Sequence, residues 1–382
     1  MPSSRPVVRP YRIDVAEDVL DDLHDRLRRT RWPHQIPGSG WDYGANVDTI
    51  RDLCAYWQDG YDWRDHEAQL NQIPQFMCEV DGVDLHFWHV KGTGPDPLPL
   101  LLVHGWPGSI YEFFRLIGPL SDPAAHGGDP RDAFHLVIPA LPGFGFGGKP
   151  RERGWGISRI AAAFDTLMSS ALGYSRYGAQ GGDWGSMVAA KLGAAYRERV
   201  VGIHLNMLVA PPPAQPGPED APALDRDRAW RTHEAAYSRV QRTKPDSLTV
   251  AQSDSPAGLA AWIVEKFRSW SDCDGDVERT FSRDTLLTNL MFYWAPDSVA
   301  SAARIYYENA RDPAGVVARG RVEAPVAYAA FPREIVRPPR SWAEPLYAIS
   351  RWTEMPRGGH FAALEAPELL VADIRAFFGP LR

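Results

Sequence analysis

Seven consecutive residues, Gln180-Gly181-Gly182-Asp183-Trp184-Gly185-Ser186, place a carboxylate between glycines two positions before it and two after. They lie between an apolar stretch read as a strand, Arg176 to Ala179, and one with helical spacing, Trp184 to Tyr196. That is the frame of a nucleophile elbow, with Asp where serine hydrolases carry Ser. Its glycines permit a tight turn that lifts one side chain above a sheet. An Asp is already ionised near pH 7, so it attacks without an activating base and offers an ester intermediate on Asp183. The plainer alternative is an Asp that caps the following helix. No GxSxG occurs, which leaves an ordinary serine esterase without its nucleophile.

Two other segments could meet Asp183. Leu100 to Val103 runs into His104-Gly105-Trp106-Pro107-Gly108-Ser109, a sharp turn after a strand that can present one backbone amide to an oxyanion. Trp106 would donate that amide and Trp184 the second, with His104 a packing residue; the alternative is a plain strand-to-helix turn. Near the end, Arg357-Gly358-Gly359-His360-Phe361 follows a predicted strand, and the order Asp183, acid, His360 fits the hydrolase sequence of nucleophile, acid and histidine. Val326 to Phe331 leads to Pro332-Arg333-Glu334, which makes Glu334 the candidate acid. Alone, His360 reads as a structural loop histidine and Glu334 as a surface carboxylate paired with a nearby arginine.

Other motifs carry less. Gly143 to Gly148 satisfies GxGxxG, but Lys149-Pro150 follows where a phosphate-binding helix would begin, so it reads as a loop over a pocket. His86 and His89 lie in strand-like sequence that turns their rings to opposite faces, which argues against a metal site. Cys54, Cys78 and Cys273 are far apart with no CxxC, so neither a disulfide framework nor a cysteine zinc site is expected. No cofactor and no metal are implied.

The elements that must position these residues follow an α/β grammar. Val15 to Arg29 and Val47 to Trp57 have helical apolar spacing, and Ile73 to Val90 reads as two strands joined at Asp81-Gly82. The aromatic-rich loops around these helices should wrap against a larger body. From Leu98 onward short apolar runs alternate with helical patterns, as in a buried parallel sheet with crossover helices. Leu98 to Val103, His135 to Ile138 and Val201 to Leu205 are strands, with Ile157 to Leu172 a helix. A Pro-rich run from Pro211 to Pro222 breaks the pattern, and a mainly helical stretch from Ala223 to near Asn309 follows. Beyond it come a strand at Val326 to Phe331, a short helix at Ser341 to Ile349, a strand at Trp352 to Met355 and a helix at Pro367 to Phe378. The fold class is therefore α/β, a core of the α/β-hydrolase kind with a helical cap insertion and an N-terminal wrapping segment. The expected division is 1–92, 93–210, 211–315 for the cap, and 316–382.

Composition bounds the partners. At 382 residues with 44% hydrophobic content, the chain buries a sizeable core. A net charge of −7 speaks against nucleic acid or an anionic membrane as partner. The first twenty residues hold no apolar signal region, and nowhere do eighteen apolar residues run together. With the sparse cysteines, this reads as a soluble cytoplasmic protein with a small-molecule partner, and a homo-oligomer stays open.

The chain resembles the epoxide hydrolases of the microsomal type, the branch with an epoxide-hydrolase N-terminal domain. The likeness runs through Thr30-Arg31-Trp32-Pro33, Tyr61-Asp62-Trp63-Arg64, Leu70-Asn71 with Pro74-Gln75-Phe76, His104 to Ser109, Gly181 to Ser186 and Arg357 to Ala363, with Glu365 and Pro367-Glu368 after it. By that resemblance Asp183 is the nucleophile, Glu334 the charge-relay acid and His360 the base that activates water. Two cap tyrosines would hold the epoxide oxygen: Tyr237, and Tyr306 with Tyr307 as the alternative register. The partners implied are a small epoxide and water. Against its membrane-bound relatives the chain is expected to do without an N-terminal anchor, as a soluble enzyme would. Rivals are a haloalkane dehalogenase, which by family resemblance also uses an elbow Asp, and a non-catalytic receptor that keeps the hydrolase shell.

Overall fold

The computed structural model describes residues 5–312 and 320–382. Nine strands form one sheet: β1 (Val8–Tyr11), β2 (Gln75–Val80), β3 (Val83–Val90), β4 (Leu98–Val103), β5 (Phe134–Pro139), β6 (Tyr177–Gly181), β7 (Val200–Leu205), β8 (Val322–Ala330) and β9 (Tyr347–Glu354). Their order is β1-β2-β3-β5-β4-β6-β7-β8-β9. β1, β2, β3 and β5 pair antiparallel in turn, and from β5 to β9 every neighbour is parallel. Leu100, Leu101, Leu102 and Val103 of β4 are fully buried, as are Val137, Ile138 and Ile203. Continuous apolar runs of this kind suit strands covered on both faces. The expected parallel core is present.

The β2–β3 turn has Asp81 at φ 51° and Gly82 at φ 77°. Two left-handed central residues match the twist of the flanking strands, which is why Asp-Gly marks a hairpin. These strands and β1 extend the main sheet, while the N-terminal helices Glu17–Arg28 and Val47–Asp59 pack against the helix Pro256–Ser269. Helices from Ala221 to Asn309 fill the interval between β7 and β8. The expected divisions at 92/93 and 210/211 fall in loops, and the one at 315/316 lies outside the described residues.

Four details differ from the sequence reading. β1 was not anticipated, because VRPY has no apolar alternation and gains its order from pairing with β2. Trp63–Leu70 forms a helix within a stretch read as loop, held by Asp62 accepting from the Arg64 amide and by Glu67 accepting from the Val15 amide and the Trp63 indole. The helix starting at Ile157 keeps α geometry only to Thr166, then widens into a π turn over Leu167–Ala171. The helix expected at Ser341 to Ile349 shrinks to Arg340–Ala343, since Tyr347 onward is drawn into β9 by pairing with β8.

Because β4, β6, β8 and β9 run parallel, the loops that follow them emerge at one end of the sheet. Those loops carry Trp106, Asp183, Glu334 and His360 respectively. Carboxyl ends of parallel strands are where open α/β sheets build their sites.

Candidate active site

Asp183 opens the helix Asp183–Ala195 directly after β6 and sits at φ 47°, a left-handed conformation that a residue with a side chain adopts at a cost. Its neighbours make the turn possible. A methyl group on Gly185 would collide with the Val103 carbonyl, and one on Gly105 would run into the Asp183 carboxylate. The Ser186 hydroxyl donates to the Asp183 carbonyl at 2.7 Å and steadies the first helical turn.

Both carboxylate oxygens of Asp183 are engaged. Oδ1 accepts from the Trp106 amide at 2.8 Å, and Oδ2 lies 3.5 Å from Nε2 of His360. The Trp184 amide follows in the first turn, where helical N–H groups have no carbonyl four residues back. The loop carrying Trp106 is pinned from the helix Arg283–Trp294: Asn289 Nδ2 donates to the Pro107 carbonyl at 2.9 Å and the Tyr293 hydroxyl to that of Gly108 at 2.6 Å. His104 accepts from the Leu141 amide at 3.1 Å, and burial lowers its imidazole to about 4. It is neutral and structural, as its sequence position suggested.

Glu334 and His360 form a buried pair. The His360 ring donates from Nδ1 to Glu334 at 2.8 and 3.1 Å, while Glu334 Oε1 also accepts from the Ile335 amide at 2.6 Å. Burial alone would depress His360, but Glu334 on one side and Asp183 on the other outweigh it and hold the imidazole well above its ordinary value. The His360 amide donates to the Trp270 carbonyl at 2.9 Å.

The helical insertion brings two phenols to this carboxylate. Tyr237, on Ala236–Thr243, stacks on the Trp106 ring at 5.1 Å, and Tyr306, on Val299–Asn309, stands edge-on to the Trp184 ring at 4.6 Å. The two phenol rings are 5.9 Å apart. Tyr307 lies under the Arg311 guanidinium, whereas Tyr306 packs edge-on against both Trp106 and Trp184. Burial, reinforced by the Asp183 charge, raises both tyrosines far above the usual phenol range. They are neutral donors at any ordinary pH, and the Tyr306 hydroxyl has no hydrogen-bond partner among the described residues.

Sequence reasoning missed three acids around this centre. Glu112 folds back onto the Gly105–Gly108 loop, where its carboxyl would clash with a methyl on Gly108, and burial raises it to about 8. Glu365 accepts from the Phe361 amide at 2.9 Å and from the Asp272 amide at 2.8 Å, tying the His360 turn to the insertion; burial raises it to about 7. Asp272 accepts in turn from the Gly358 amide at 2.9 Å. Of these only Glu365 lay within a run singled out beforehand. Carboxyls that bond to backbone amides leave no spacing signature.

The remaining motifs are occupied elsewhere. His86 bonds Gln75 at 2.9 Å and His89 bonds the Tyr174 hydroxyl at 2.9 Å. In the Gly143 to Gly148 loop, the Gly143 carbonyl accepts from Ser301 on the Tyr306 helix at 2.5 Å.

Comparison with known proteins now has a geometry to match. Residues 8–113 match the family model described as epoxide hydrolase N terminus, and residues 99–310 match that of the alpha/beta hydrolase fold. Epoxide hydrolase 1 of Oryctolagus cuniculus is 36% identical over 418 residues, covering 99% of this chain and 91% of its own. The chain belongs to the epoxide hydrolase family. A Stigmatella aurantiaca relative with a provisional epoxide hydrolase name is 44% identical over 380 residues, covering 98% of this chain and 86% of its own. Among solved structures of the family, the Aspergillus niger epoxide hydrolase superposes with a TM-score of 0.88 at 30% identity, covering 100% of this chain and 98% of that one. The α/β-hydrolase fold is thereby established. Among the described residues, no helix is long and apolar enough to cross a membrane.

Proposed function

We propose that this epoxide hydrolase family member converts an epoxide and water to a vicinal diol through an ester on Asp183. One observation carries the reading: His360 spans Glu334 and Asp183 beside two buried phenols, Tyr237 and Tyr306. Oδ2 of Asp183 attacks a ring carbon, the ring C–O bond breaks, and a phenol proton passes to the departing alkoxide. The carbonyl oxygen of the ester is then Oδ1, already against the Trp106 amide. Ester formation removes the Asp183 charge, one of the two supports of the high His360 value, and so favours the neutral imidazole that a base needs. His360 deprotonates water, which attacks the ester carbonyl. The oxyanion on Oδ1 faces the amides of Trp106 and Trp184. Collapse expels the diol oxygen, which takes the proton from His360, and the phenolate left by ring opening recovers the last proton.

Glu334 fixes the His360 tautomer by taking the Nδ1 proton in a hydrogen bond, leaving Nε2 toward Asp183. Residues 211–315 act as a cap, a role supported by the two phenols they deliver. The relatives favour epoxide hydrolysis over the dehalogenase and receptor alternatives. A cytoplasmic setting is supported by three buried, unpaired cysteines.

The test is chromatographic. Purified protein given styrene oxide should form the diol, and an Asp183→Ala variant should not. Equal diol from both proteins would overturn the reading, as would halide release from haloalkanes with no diol from any epoxide.

A further inference from the structure

The helix Arg283–Trp294 is buried on every side: each residue from Thr285 to Trp294 is shielded from solvent. A helix in that setting should be apolar all round, and Leu286, Leu287, Leu290, Met291 and Phe292 conform. Asn289, 1% exposed, does not, and a buried amide costs stability unless its donor and its acceptor are both matched. One loop matches both. Asn289 Nδ2 donates to the Pro107 carbonyl at 2.9 Å, and Oδ1 accepts from the Ser109 hydroxyl at 2.9 Å. One turn further on the same face, the Tyr293 hydroxyl donates to the Gly108 carbonyl at 2.6 Å.

The three residues held in this way follow Trp106 directly, and that loop needs holding. Gly105 and Gly108 bracket Trp106 and Pro107, and residues without a Cβ let the neighbouring peptide planes turn. Side chains are barred from both positions, since a methyl would meet the Asp183 carboxylate at Gly105 and the Glu112 carboxyl at Gly108. The glycines that make room for these acids therefore loosen the Trp106 amide. Fixing the Pro107 and Gly108 carbonyls from the helix removes that freedom, and the amide stays 2.8 Å from Oδ1 of Asp183. The helix is itself anchored to the N-terminal segment. Thr288 shares a hydrogen bond with the Tyr61 hydroxyl at 3.0 Å, and the Tyr56 hydroxyl donates to Asp284 at 2.8 Å.

We infer that Asn289, with Tyr293 beside it, is a positioning residue: through the Pro107 and Gly108 carbonyls it aims the Trp106 amide at Oδ1 and so governs ester hydrolysis more than ester formation. The inference rests on the ester reading above and adds a division of labour to it. In the first step charge leaves the Asp183 carboxylate, so the amide's hold on Oδ1 weakens along the reaction. In the second step charge builds on Oδ1, where a preorganised donor counts most. The phenols act on the opposite step.

Single-turnover kinetics with excess protein and styrene oxide, quenched and read by intact mass, separate the two steps. Asn289→Leu fills similar space with neither donor nor acceptor. Its ester formation should stay within about threefold of the unmodified protein, while ester hydrolysis slows by about 10- to 100-fold, the cost of a displaced donor. The adduct on Asp183 should then accumulate. Tyr293→Phe keeps its ring against Phe144 at 6.2 Å and loses one hydrogen bond, so it should fold and shift the same ratio by about threefold to tenfold. Equal slowing of both steps in the two variants, or of neither, overturns the inference and leaves these contacts a part of fold stability alone. A second readout does not depend on turnover. In protein carrying heavy nitrogen only in its tryptophans, the Trp106 amide proton, assigned with Trp106→Phe, should resonate downfield and move upfield in both variants. A resonance that stays in place while the unmodified protein forms and hydrolyses the ester sinks the positioning role alone. A resonance that moves as expected, with no ester and no diol formed by the unmodified protein, sinks the reaction and leaves the positioning role standing.

Discussion

The Trp106 amide donates to Oδ1 of Asp183 at 2.8 Å while Oδ2 faces His360, so the two oxygens of one carboxylate are already told apart in the resting site. This asymmetry predicts where a label goes. If Oδ2 attacks carbon and water attacks the ester carbonyl, a single turnover in heavy-oxygen water should leave the label in the peptide containing Asp183 and none in the diol. Mass spectrometry of a digest reads both. Label in the diol after one turnover would mean that water attacks the epoxide directly.

His360→Gln should separate the two chemical steps. Glutamine cannot deprotonate water, so hydrolysis of the ester should slow by about 10² to 10⁴, while Asp183 still attacks. The intact protein should then gain the mass of the epoxide. Loss of both steps, with no adduct trapped, would assign His360 a role in positioning Asp183 instead.

How far the sequence reached is visible in the same residues. Asp183, Glu334 and His360 were legible because each follows a strand, and glycines beside two of them mark turns that other residues would block. The helix Pro367–Phe378 has the expected bounds because its apolar spacing needs no partner to define it. β1 and the start of β9 were illegible for the opposite reason: Val8 pairs with Cys78 and Tyr347 with Val322, contacts that no local window contains. Glu67 kept Trp63–Leu70 hidden, since a buried acid in a helix breaks the apolar stripe that a reader seeks. The phenols came from family resemblance, and what distinguishes Tyr306 from Tyr307 is packing against Trp106 and Trp184.

Tyr237→Phe and Tyr306→Phe should each slow ester formation by about 10² to 10³, the usual loss for one donor facing developing charge. Ester hydrolysis should change little, because the alkoxide has been protonated by then. Stopped-flow tryptophan fluorescence follows the first step, since Trp106 and Trp184 flank the carboxylate. The pair should be worth more together than either alone. A double variant no slower than the single ones would show that only one phenol acts.

Glu112 makes the stability of the fold depend on pH. Burial raises its carboxyl from 4.5 to about 8, with Asp183 and Glu334 opposing ionisation and His360 favouring it. Between those values Glu112 is protonated in the folded protein and ionised in the unfolded one. The unfolded state therefore binds fewer protons there, and this group's contribution to stability falls as pH rises. Below 4.5 the two states agree and the penalty vanishes. Glu112→Gln cannot ionise, so its Tm relative to the unmodified protein should improve from pH 5 to pH 8. Thermal melts at matched ionic strength check this. A Tm difference that stays constant across that window would mean that the Glu112 carboxyl is not held neutral by the loop around Asp183.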